Sequence, residues 1–87
     1  MRKLKQAEIE LLTACQKNGY RYIARDRGEE LWVFKLKPFK SKVFWKNDEG
    51  VTGHYLERVD DHWFKDIVLW EDKEPTLIAE LLEEGKQ

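Results

Sequence analysis

Between residues 3 and 18 the apolar positions recur at helical spacing. Leu4, Ala7, Leu11 and Cys15 form one stripe, which Ile9 and Leu12 widen. Lys5, Glu10 and Lys17 fall on the outer side, and Glu8 lies four positions before Leu12. Asn18-Gly19 predicts the stop, because glycine after a helix adopts the left-handed conformation at little cost.

The period then changes. Residues 20–26, YRYIARD, alternate in polarity and are rich in aromatic and β-branched types, which predicts a strand. Residues 27–30 predict a turn in which Gly28 supplies the unusual backbone angles. Residues 31–37, LWVFKLK, predict a second strand with Trp32, Phe34 and Leu36 on one face and Leu31, Val33, Lys35 and Lys37 on the other. The two strands should pair as an antiparallel hairpin. Lys37-Pro38 ends the second, since proline cannot donate to a ladder.

Residues 42–46, KVFWK, predict a third strand and residues 47–50 a turn. Residues 51–58 predict a fourth strand, interrupted by Gly53. Residues 62–70, HWFKDIVLW, fit both helical and strand spacing, and are read as a short helix or turn over 60–66 followed by an extended run over 67–70. Glu74-Pro75 predicts the start of a last helix, with proline at its first position and Glu71, Asp72 and Glu74 complementing the dipole. Its apolar stripe is Leu77, Ile78, Leu81 and Leu82, and Gly85 closes it. The expected fold is a single α+β domain over residues 1–87. It has an N-terminal helix, an antiparallel three- or four-stranded sheet and a short C-terminal helix, with both helices on one face. Trp32, Phe34, Leu36, Ile67, Leu77 and Leu81 are expected in the core.

Composition sharpens this picture. A chain of 87 residues has a thin core, but four Trp, three Tyr and four Phe supply large pieces for it. The single cysteine rules out an intrachain disulfide framework. No run of 18 apolar residues encodes a membrane span, and the start has no secretory pattern, so a cytoplasmic setting is expected. The net charge of −1 hides a gradient. Residues 1–46 carry twelve Lys and Arg against five Asp and Glu, and residues 47–87 carry four against twelve. Such a split suits either two mutually attracting surfaces of one fold or separate faces for different partners.

The basic half narrows to one stretch. Lys35, Lys37, Lys40, Lys42 and Lys46 bracket Phe39, Phe44 and Trp45. Lysines can contact phosphates and aromatics can stack on bases, as in single-strand binders. The same residues equally suit protection of an exposed strand edge. Arg25, Lys35, Lys37, Lys40, Lys42, Trp45 and Lys46 are the candidate binding residues, for protein or nucleic acid. The sequence has no RNA-recognition signature, helix-turn-helix or zinc-finger spacing. His54, Asp60, Asp61 and His62 match no metal-ligand spacing, and Cys15 reads as a small buried thiol on a helix stripe. The acidic run WEDKEP reads as a helix start, with mimicry of nucleic-acid phosphates as its alternative. No catalytic constellation and no cofactor motif is present, and the oligomeric state is left open.

Ile23-Ala24-Arg25-Asp26, Lys37-Pro38, Trp70-Glu71-Asp72 and Glu74-Pro75, in this order, carry a resemblance. Over residues 20–82 the chain resembles small uncharacterised proteins of temperate phages and prophages of Gram-positive bacteria. The resemblance implies a phage or prophage origin and brings no chemistry with it. The expected function is therefore a non-catalytic accessory protein that binds a host or phage protein, with no membrane partner. The alternative is an accessory nucleic-acid-binding protein that uses residues 35–46.

Overall fold

The computed structural model describes residues 2–46, 53–56 and 63–85. The architecture is α+β, as expected. Helix α1 (Gln6–Lys17) precedes strands β1 (Tyr22–Arg25), β2 (Leu31–Phe34), β3 (Phe39–Lys40), β4 (Trp45–Lys46), β5 (His54–Tyr55) and β6 (Thr76–Leu77), and helix α2 (Ile78–Gly85) follows. Four strands form an antiparallel sheet in the order β5-β2-β1-β6. β3 and β4 form a separate two-stranded hairpin. The turn foreseen at 47–50 and the residues Asp60, Asp61 and His62 lie outside the described residues, as does half of the strand foreseen over 51–58.

α1 ends where its sequence says it should. Gly19 takes φ +88°, the Gly19 amide donates to the Gln16 carbonyl and the Tyr20 amide to the Cys15 carbonyl. These two bonds cap the last turn and redirect the chain into β1. The helix starts later than residue 3. Residues 2–5 stay outside the helix: Leu4 is buried in the core and its amide donates to the Gly85 carbonyl at the end of α2.

The register pairs Tyr22 with Phe34, Ile23 with Val33, Ala24 with Trp32 and Arg25 with Leu31. Side chains alternate along a strand, so Ile23, Val33, Arg25 and Leu31 share one face, and Tyr22, Phe34, Ala24 and Trp32 the other. The first face is the main core. There Leu12 and Cys15 of α1, Ile78, Leu81 and Leu82 of α2, and Phe64 and Val68 pack on Ile23, Leu31 and Val33. Both helices thus cover one face.

The expected core needs correcting. Val33 and Leu31, placed on the outer face by sequence, are its centre, and Leu36 is 57% exposed. Phe34 is buried on the opposite face, with Ala24 and Trp45. Both faces of β2 are covered because the β3–β4 hairpin folds back over the sheet. Residues 67–70 form turns rather than an extended run. Pro75 does not open a helix, because Thr76 and Leu77 pair with Ile23 and Tyr22 first and α2 begins at Ile78. In the β1–β2 turn the left-handed residue is Glu29 (φ 72°), not Gly28.

Candidate functional site

The β3–β4 hairpin carries most of the residues that the sequence marks for binding. Ser41 and Phe44 close its turn: the Ser41 amide donates to the Phe44 carbonyl at 2.8 Å, and the Phe44 amide donates back to Ser41 Oγ. The hairpin lies on the sheet through Trp45. That indole is 3% exposed, packs with Ala24 and Phe34, and donates from Nε1 to the Arg25 carbonyl at 2.9 Å. The Arg27 amide donates to the Val43 carbonyl at 3.0 Å, which ties the hairpin tip to the β1–β2 turn. Trp32, Trp70 and Tyr22 surround the cluster, half-buried.

The structure does not turn all seven candidates to one open face. Arg25 is on the helix-covered face and 2% exposed. Its guanidinium donates to the carbonyls of Val68 (2.8 Å), Trp63 (2.7 Å) and Glu29 (2.8 Å). It holds the 63–68 segment to the sheet and offers no charge to an outside partner. Trp45 is buried, so it presents no open stacking face. Lys40 donates from Nζ to the Trp70 carbonyl and lies 4.3 Å from the Trp70 ring centroid and 5.4 Å from that of Trp45. Lys35 lies over the Tyr20 ring at 5.3 Å and beside Gly19, at the negative end of α1. Lys37 pairs with Glu74 at 3.3 Å, and Lys46 lies over the Phe39 ring at 5.9 Å. Lys42 is exposed at the hairpin turn.

Exposed apolar side chains concentrate in this stretch of the chain. Leu36 is 57% exposed, Phe39 44% and Val43 46%. Leu69, next to Trp70, is the fourth large hydrophobic residue exposed among the described ones. Three of the four therefore fall between residues 36 and 43, interleaved with the exposed Lys35, Lys37 and Lys42.

A second group was missed by sequence reasoning. Glu8 is buried on α1. One carboxylate oxygen accepts the Lys5 amide at 2.9 Å and the other the Phe64 amide at 3.1 Å, while Arg2 binds both oxygens at 2.8–2.9 Å. These bonds, led by the Arg2 guanidinium, hold its pKa down at about 2. Phe64, bonded in this way, is fully buried at φ 59°. The signal was available: Glu8 shares the i, i+4 stripe with Leu4 and Leu12. Asp26 is likewise buried, accepting the Glu30 amide and the Trp32 indole N–H at 3.0 Å each.

A cleft of about 390 Å³ between the end of α1 and the sheet is lined by Cys15, Tyr20, His54 and Val33, among others. Burial pushes the Cys15 thiol up, away from the thiolate a nucleophile needs. His54 is engaged with the Tyr20 ring, centroids 5.8 Å apart. Among the described residues no three His, Cys, Asp or Glu side chains group as a metal site, and no helix is long and apolar enough to cross a membrane. No family model matches the sequence, and no curated protein or solved structure matches it either.

Proposed function

We propose that this chain is a non-catalytic binding module, of phage or prophage origin, that docks residues 35–43 onto a protein partner with an acidic, apolar surface. The observation that carries the reading is the grouping of Leu36, Phe39 and Val43, exposed within eight residues and flanked by exposed lysines. Exposed apolar side chains with a charged rim suit a protein surface. Recognition of single-stranded nucleic acid needs open stacking faces above a basic track. Here the Trp45 face is buried, and Lys35, Lys37, Lys40 and Lys46 each have a neighbour within the chain.

The test compares the wild type with a triple variant, Leu36→Ser, Phe39→Ser and Val43→Ser, in capture from host lysate. A protein held by the wild type and lost by the variant, at unchanged thermal unfolding, supports the reading. Equal capture by both overturns it. Binding to single-stranded oligonucleotides that weakens steeply with salt would put the nucleic-acid alternative in its place.

A further inference from the structure

We infer that the β3–β4 hairpin is a strap over the aromatic face of the sheet and that Lys40 is its latch. The inference goes beyond the docking reading and stands without it. A two-stranded hairpin with two paired residues per strand is not stable alone. It must be held by what it touches, and its two legs are held differently.

The β4 leg is anchored by packing. Trp45 is buried on Ala24 and Phe34, its indole donates to the Arg25 carbonyl, and the neighbouring Val43 carbonyl accepts the Arg27 amide. The β3 leg is held more lightly: Pro38, just before it, is buried, but neither Phe39 nor Lys40 is. Phe39 points outward and is 44% exposed. Among the described residues, the polar contact of β3 with the rest of the fold runs through Lys40, to the Trp70 carbonyl and over the Trp70 ring. Trp70 itself sits in a turn that Asp72 closes by accepting the Leu69 amide at 3.0 Å. The ammonium thus lies between an indole of the strap and an indole of the 69–72 turn, and clips the two together across the cluster. A cation on an aromatic face, partly removed from water, is held by charge and ring quadrupole together, so the latch depends on the charge and not only on the bulk of the side chain.

With the latch open, the β3 leg lifts and uncovers Trp45, Phe34 and Ala24. The helix-covered face does not change, because no residue of β3 or β4 belongs to its buried apolar cluster.

Hydrogen exchange on the free protein tests this. The reporters are the amides of Ser41 and Phe44, which are bonded within the strap. In Lys40→Ala these should exchange about tenfold faster, with a red shift and readier quenching of tryptophan emission, while amides of α1, β1 and β2 exchange as in the wild type. Lys40→Arg keeps the charge and should restore wild-type exchange. Unchanged exchange in Lys40→Ala, equal loss in Lys40→Arg, or uniform acceleration over the whole chain each overturns the inference. No partner is involved, so its failure is separate from loss of capture by the triple serine variant.

Discussion

The two faces of one four-stranded sheet are built by different rules. On the helix-covered face eleven buried apolar residues, Leu4 together with residues of α1, α2, β1, β2 and the 63–68 segment, interlock. Its buried charges, Glu8 and Arg25, have a full set of partners. On the hairpin-covered face three residues are buried, three aromatics are half-buried, and the cover is a strap of paired dipeptides. Burying an aliphatic or aromatic side chain contributes about 1.5–3 kcal/mol, so global stability should reside on the first face. The second face, shallow and rich in aromatic surface, is where low-energy opening is available.

The largest expected effect is on the first face. Arg25→Met should cost about 3–5 kcal/mol, because it keeps bulk but leaves the carbonyls of Val68, Trp63 and Glu29 without their donor. Urea unfolding checks it. A loss below about 1 kcal/mol would mean that the guanidinium is not what holds the 63–68 segment.

Next comes Glu8. Its carboxyl is held at about 2 against an ordinary value near 4.5, so between these values the unfolded chain binds more protons than the folded one. Stability is full above pH 4.5 and falls as the pH drops toward 2, by roughly 3 kcal/mol in all. Glu8→Gln should lower stability at neutral pH by a similar amount and flatten the acid limb. A variant that keeps the wild-type acid limb would assign that limb to other carboxylates.

Trp45→Ala tests the second face. Truncating a buried tryptophan in a well-packed core costs about 3–5 kcal/mol. Here the strap can detach instead of leaving a cavity, so about 2 kcal/mol is expected, with exchange protection lost at Ser41, Phe44 and Arg27 and kept in α1, β1 and β2. A cost equal to that of Arg25→Met would break the contrast between the faces.

The same contrast separates what was legible in the sequence from what was not. The α1 stop at Asn18-Gly19 and the β1–β2 hairpin rest on local chemistry, and both stand where the pattern puts them. The α+β class followed from the change of period. Pro75 misleads because pairing of Thr76 with Ile23, more than fifty positions away, overrides the local helix-start signal. Phe64 has no local reason to take a positive φ. That conformation is imposed by Glu8, which holds its amide, while Arg25 holds the carbonyls of Trp63 and Val68 on either side. The lysines of the binding stretch were legible as a basic run, but their partners were not. Tyr20, Glu74 and Trp70 approach Lys35, Lys37 and Lys40 only once the chain has folded. Continued alternation past Phe34 would bring Leu36 into the core, but β2 ends at Phe34.

The smallest effect has the opposite sign and concerns the loop where the two faces meet. Asp26 and Glu30 close the β1–β2 turn: the Asp26 amide donates to the Glu30 carbonyl at 2.9 Å and the Glu30 amide to the Asp26 carboxylate at 3.0 Å, with Glu29 between them at φ 72°. A residue with a Cβ pays about 1 kcal/mol or more in that region, and glycine pays almost none of it. The Glu29 carboxylate contributes little in return. It is 67% exposed and 3.9 Å from a guanidinium already bonded to three carbonyls. The carbonyl that Arg25 uses belongs to the backbone and survives substitution. Glycine also loosens the unfolded chain, which takes back part of the gain. Glu29→Gly should therefore raise stability by up to about 1 kcal/mol, read as a higher Tm at unchanged cooperativity. Glu29→Asn should do nearly as well, since asparagine tolerates the left-handed region and adds less freedom to the unfolded chain. If both variants lose stability, the carboxylate is pairing with Arg25 more strongly than 3.9 Å allows. The turn would then belong to the charged framework of the helix-covered face rather than to the strap.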